Sequence, residues 1–259
     1  MTCPSKPLSC LAPAALCGLA VIAAIAMAPA GVAAVVPPTA ITIVPVDSLP
    51  LPPGEVTGLA WRGPDTLAVL VKAPAGAGER IMLSLHDRAG ALLQKVDVTG
   101  TAGRGLAYDG TSFWVAGDDA EGGSHVVRID ADTLEVEDTY PLRGHRPMAL
   151  TWDGSSVWVS DRDSGRLDRV DPTTGDITRS VLSPGFSPCG VAWDGRAMWV
   201  TDSATGLLYR LTGPRREWSA TVTADAFFHR GEDVLLLHDG NWLWYVRPGS
   251  SWAIRARII

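Results

Sequence analysis

Few residues of this chain have the chemistry for catalysis or ligand binding, and they are scattered along it. Cys189 is a nucleophile if a base lies near it, and His238 is the residue to test for that role. Arg104 can grip a carboxylate or a phosphate through two parallel N–H donors, or stand as a solvated rim charge. His145 and Arg146, next to Pro147, read as exposed residues able to bind. Asp161, Asp202 and Asp225 offer carboxylates, with Glu55, Asp118 and Asp119 further out. A metal site wants several convergent His, Asp or Glu ligands, and the pattern offers too few to expect a cofactor; a divalent ion is the alternative. There is no Gly-x-Ser-x-Gly, no phosphate-binding Walker loop and no HExxH.

The elements that must position these residues repeat. Gly105-Leu106-Ala107-Tyr108-Asp109-Gly110 returns as Ala149-Leu150-Thr151-Trp152-Asp153-Gly154 and as Gly190-Val191-Ala192-Trp193-Asp194-Gly195. Each copy is followed by a second aromatic strand: Phe113-Trp114-Val115, Val157-Trp158-Val159 and Met198-Trp199-Val200. Asp-Gly tolerates the positive φ of a tight hairpin, so it reads as a turn and not a catalytic pair. Leu59-Ala60-Trp61 fits as an earlier copy and Phe227-Phe228-His229 as a degenerate last one, with His229 in the aromatic place. A period of about 40–45 residues with four short strands per copy is the signature of a β-propeller blade. The expected fold is all-β, a propeller of five four-stranded blades, with six as the alternative because one strand is surplus. Strand Ile41–Val46 is expected to pair near the C-terminal strand and close the ring, since an open array leaves sheet edges unpaired. The recurring tryptophans read as blade-to-blade packing.

In such a ring the first strand of each blade lines a central channel. The positions just before each copy then form a circle at one mouth: Thr57, Arg104, Met148, Cys189 and, in the last copy, Asp225. Loops after the second strands open on the same face and add Asp161, Asp202 and His238. Asp161 and Asp202 share a repeat position, which favours a turn-building job, because an Asp side chain bonds to the backbone two residues on.

Composition bounds the rest. The chain has 259 residues and 46% hydrophobic content, enough for a sizeable core. A net charge of −6 argues against a general nucleic-acid binder. The first 46 residues carry one charge, Lys6, and an apolar run from Leu11 to Ala28. This is a secretory signal pattern over residues 1–34, cleaved before Val35, with an uncleaved membrane anchor as the alternative. A Pro-rich connection and the closing strand fill 35–53, and the repeats 54–259. Cys3, Cys10 and Cys17 lie in the leader, so a mature chain holds one thiol, Cys189, and no disulfide.

The copies resemble the NHL, YVTN and streptogramin-lyase-type propellers in the Pro-x-Gly-Val-Ala-Trp-Asp-Gly run, the Trp-Val strand and the Arg-x-Asp strands Arg128–Asp130 and Arg169–Asp171. The lyases carry a catalytic His within that Pro-x-Gly, where this chain has Cys189, and an acid where it has Ser187. The order of motifs is also similar to plant-type glutaminyl cyclases. That resemblance sets Arg104 where the family has its catalytic Glu, and a guanidinium cannot shuttle a proton near neutral pH. The resulting expectation is a secreted or periplasmic, monomeric propeller. It binds a peptide, protein or cell-envelope ligand at the channel mouth, without nucleic acid. An enzyme of the cyclase, lyase or lactonase type using Asp225, Asp202 or Glu55 is the alternative.

Overall fold

A computed structural model describes residues 41–75, 78–100, 103–118, 123–142, 144–212, 219–222 and 227–259. The leader with Cys3, Cys10 and Cys17, together with Asp119 and Asp225, lies outside the described residues. Strand β1 (Ile43–Pro50) comes first. It is followed by β2 (Glu55–Arg62), β3 (Thr66–Ala75), β4 (Gly78–Asp87) and β5 (Leu92–Asp97), which form the first blade. The second blade is β6 (Arg104–Tyr108), β7 (Ser112–Asp118), β8 (Ser124–Asp130) and β9 (Val136–Pro141). The third is β10 (Pro147–Trp152), β11 (Val157–Asp161), β12 (Arg166–Val170) and β13 (Ile177–Leu182). The fourth is β14 (Pro188–Trp193), β15 (Met198–Asp202), β16 (Leu207–Thr212) and β17 (Ser219–Val222). The fifth holds β18 (Leu235–His238), β19 (Leu243–Val246) and β20 (Trp252–Ile258), with β1 as its outer strand. The protein is a five-bladed β-propeller.

The ring closes through β1, which pairs antiparallel with β20 from Ile43–Ile258 to Pro50–Trp252. Pro45 and Pro50 fit there because an outer edge strand can spare N–H donors. The inner strands complete the circle, with β2 on β6, β6 on β10, β10 on β14, β14 on β18 and β18 on β2. Their close approach needs small residues. A Cβ on Gly190 would stand 2.3 Å from the Val234 carbonyl oxygen of the next blade.

The last copy corrects one expectation. Phe227-Phe228-His229 is not a strand. The first strand of the fifth blade is Leu235–His238, followed by the Asp239-Gly240 turn, so His238 takes the aromatic repeat position. This restores a step of about 45 residues from Trp193. It also removes the surplus strand, and with it the sixth blade. Phe227 and Phe228 still pack, edge to face with Tyr245. His229 is exposed, so packing does not describe it.

Apolar clusters fill each gap between neighbouring blades. Trp114, Trp158, Trp199 and Trp244, all from second strands, are at most 3% exposed within them. Each indole N–H donates to the Asp of its own blade's turn: Trp114 to Asp109 at 2.7 Å, Trp158 to Asp153 at 2.6 Å, Trp199 to Asp194 at 2.8 Å and Trp244 to Asp239 at 2.9 Å. The other carboxylate oxygen accepts backbone N–H groups of the turn, such as Ser155 and Ser156 on Asp153. Gly154 completes that turn at φ 90°, where a side chain would be strained. The third-strand Arg paired with the Trp lies over that indole, as Arg128 does over Trp114 and Arg210, here in Arg-Leu-Thr, over Trp199.

Candidate binding site at the channel mouth

All first strands start at one end of the channel, so residues preceding them converge. At that entrance the pairing of first and second strands slips by one residue in four blades. The slips fall between Val56 and Gly58, Arg104 and Leu106, Pro147 and Ala149, and Pro188 and Gly190. Such bulges re-aim side chains and concentrate at barrel rims and sites. Thr57, Met148 and Cys189 are themselves bulge residues. In the second blade the bulge is Gly105, at φ 59°, and Arg104 precedes it.

The mouth encloses a cavity of about 330 Å³. Thr57, Arg104, Met148 and Cys189 all line it, as does Arg146. Four cationic side chains from three blades border it: Lys72, Arg104, Arg146 and Arg162. Glu55 and Asp233 are the carboxylates on its wall. Arg162 pairs with Asp233 across two blades, and Arg146 Nη1 stands 3.6 Å from Asp163. Arg104 Nη1 is 3.1 Å from Asp118 Oδ2 but is poorly aligned on it. Arg104 Nη1 and Arg162 Nε are both out of reach of solvent and make no hydrogen bond to the described residues. Arg169, Arg210 and Arg255, which do not line the cavity, each carry such a group as well, so the clustering of four cations and not these atoms distinguishes the mouth.

Cys189 is 1% exposed. Its Sγ lies 3.4 Å from Thr201 Oγ1 and 3.5 Å from the Thr201 carbonyl. Burial pushes the thiol pKa up to about 11, against the opposing hydrogen bond from Thr201. A thiol held this firmly as S–H is a poor nucleophile at neutral pH.

Several expected site residues belong elsewhere. His238 is the clearest correction. It ends β18, four residues beyond the level of Cys189, about 13 Å along the channel. There it lines the opposite end with Trp61, Tyr108, Trp152 and Trp193, around a void of about 100 Å³. Burial lowers its pKa, while Asp194 and Asp239 pull the other way. It therefore cannot serve Cys189 as a base. Asp161 and Asp202 do build turns. Asp202 accepts the backbone N–H of Ser187 at 2.5 Å and of Thr205 at 2.9 Å. Asp161 accepts those of Arg146 at 3.1 Å and Asp163 at 3.0 Å. Burial would raise the Asp161 carboxyl, but the bonds from Ser164 and these backbone groups outweigh it and hold the pKa low. His145 is half-buried, not exposed, because its Nδ1 reaches back to Asp161 Oδ2 at 3.0 Å. Arg146 is exposed as expected.

The sequence reading missed Lys72, Arg162 and Asp233. The first two stand at one repeat position, the residue after the Asp161 position at the end of the second strand. That register was available from the second-strand alignment. Asp233 was hidden by the misplaced fifth copy.

No family model matches the sequence, and no curated protein sequence matches it. Solved structures do match the fold. A glutaminyl cyclase from Myxococcus xanthus aligns with a TM-score of 0.64 at 10% identity, over 85% of this chain and 98% of that one. The PQQ-bound aldose sugar dehydrogenase from Streptomyces coelicolor aligns with a TM-score of 0.55 at 11% identity, over 86% of this chain and 100% of that one. These likenesses identify the class, a β-propeller of glutaminyl cyclase-like shape, and carry no activity to this chain.

Proposed function

We propose that this propeller is an exported binding module whose channel mouth receives an anionic group, the carboxylate of a peptide, protein or cell-envelope ligand. The observation that carries this reading is the cluster of Lys72, Arg104, Arg146 and Arg162, from three blades, around one cavity. Met148, Leu235 and Pro248 add apolar surface for the rest of such a ligand. Two arginines from different blades can fix one carboxylate by separate charge-assisted bonds.

Binding is favoured over catalysis because the available groups are committed. Cys189 stays protonated, Asp202 is spent on its turn, and Arg104 stands where the cyclase resemblance wants an acid. Among the described residues, Glu55 on the cavity wall is the group through which the enzymatic alternative would work.

The test is calorimetric titration with short peptides carrying either a free or an amidated C-terminus. The free acids should bind, and Arg104→Ala or Arg162→Ala should weaken binding at least tenfold. Equal affinity for acid and amide, or no change in either variant, would sink the carboxylate reading. Cyclisation of peptides with an N-terminal glutamine, abolished by Glu55→Gln, would replace it with the enzyme.

A further inference from the structure

The third and fourth blades share a framework at the mouth face but differ in two side chains. Asp161 and Asp202 end the second strands at equivalent positions, opposite Pro147 and Pro188. Two residues before those prolines stand His145 and Phe186. On the third strands, one residue before the Arg that pairs with the buried Trp, stand Asp168 and Tyr209. In the fourth blade neither of these side chains offers a metal-ligating carboxylate or imidazole. Phe186 is exposed, and the Tyr209 hydroxyl donates to Thr205 Oγ1 at 3.3 Å.

The third blade replaces both aromatics with metal-ligating groups. His145 Nδ1 lies 3.0 Å from Asp161 Oδ2 and 3.1 Å from Asp168 Oδ2. The three ligand atoms all fall within 4.8 Å of one another. Donors about 2.0–2.2 Å from a common Zn²⁺ stand about 2.9–3.4 Å apart at tetrahedral or cis-octahedral angles. The His–Asp separations already match that spacing.

Asp168 supplies the independent sign of a ligand. It is 2% exposed, and neither of its carboxylate oxygens accepts a hydrogen bond from the described residues. Its contact with His145 has ion-pair distance without hydrogen-bond alignment. A buried carboxylate left in this state is unfavourable unless a cation satisfies it. Asp161 is held ready by its own loop, with Ser164 Oγ at 2.8 Å fixing Oδ2. His145, a quarter exposed, leaves a path from solvent.

We propose that His145 Nδ1, Asp161 Oδ2 and Asp168 Oδ2 form a site for one divalent transition-metal ion of the Zn²⁺ class on the mouth face of the third blade. One imidazole and two carboxylates suit zinc, with water completing the coordination. The ion joins the connection into β10, the end of β11 and the middle of β12. It thereby anchors the segment that carries Arg146 and Met148 to the mouth. The site adjoins Arg162, which follows Asp161, but uses none of the groups proposed to hold the anion and does not depend on that ligand.

The experiment is equilibrium dialysis of the full, chelator-stripped chain against Zn²⁺, with bound metal counted by mass spectrometry. The parent should bind one equivalent more than His145→Ala and Asp168→Asn, and Zn²⁺ should raise the melting temperature of the parent alone. Asp168→Asn keeps the side-chain volume, so the comparison survives if the histidine variant folds poorly. Arg104→Ala should keep the metal while losing the anionic peptide, which separates this proposal from the binding reading. Co²⁺ in place of Zn²⁺ should show no thiolate charge-transfer band, which excludes the leader cysteines as the source. Equal uptake by parent and Asp168→Asn, or no uptake by the parent, would overturn the site. His145 would then be only the polar partner of two buried acids.

Discussion

The two ends of the channel are built by opposite rules. At the far end four of the five blades agree. Asp109, Asp153, Asp194 and Asp239 each hold a turn with one oxygen and an indole N–H with the other. At the mouth the blades disagree. Thr57, Arg104, Met148 and Cys189 share a place in the repeat and have no chemistry in common. The agreement serves a demand that four blades share, to bury an indole and turn a hairpin; the first blade has Ala68 in the indole's place. The disagreement arises where no such demand exists, and there the surface is free to become a site. A repeat protein advertises its scaffold through what recurs and its binding face through what does not.

That contrast can be broken most forcefully at the far end. Asp153→Ala removes four hydrogen bonds and strands the buried Trp158 N–H. It should cost about 3 kcal/mol in denaturant unfolding, with ligand binding unchanged in the fraction that folds. A loss below about 1 kcal/mol would show that the clasp is ornamental.

Next in size is the alkaline limb set by Cys189. A folded pKa raised from 9.0 to about 11 favours the native state fully below pH 9. That contribution, on the order of 3 kcal/mol, is lost as pH rises through about 11. Unfolding at stepped pH should show the loss, and Cys189→Ala should flatten it.

The acid limb sharpens the comparison from the other end. His238 is partly buried with its pKa lowered, so stability is present above its ordinary value of 6.5 and declines as pH falls through the folded value. His238→Gln should remove that decline in thermal melts between pH 7 and 5. An unchanged slope would mean the imidazole is hydrated in place.

The smallest effect on stability belongs to the mouth. Arg104 and Asp118 are each more than a third exposed, so Arg104→Ala should change unfolding free energy by less than about 1 kcal/mol. A larger loss would make the arginine part of the scaffold and return the mouth to the rule of the far end.

The blade architecture was legible in the sequence because its determinants are local. Asp-Gly, the Trp five residues after the Asp, and the alternation around them act within one blade and repeat. The fifth copy was misread for the same reason: Leu236-Leu237-His238 lacks the aromatic, and Phe227-Phe228-His229 imitated it. Thr57, Arg104, Met148 and Cys189 were found by position, since the repeat places them at one level whatever their chemistry. What only the tertiary structure decided is which side chains meet. Arg162 and Asp233 pair across blades, and His145 and Asp168 meet across three strands of one blade. His238 and Cys189, both named as channel residues, stand at opposite ends. Ring closure and the one-residue bulges set those meetings, because a side chain's neighbours across a closed channel depend on the stacking of all five sheets and not on its own segment.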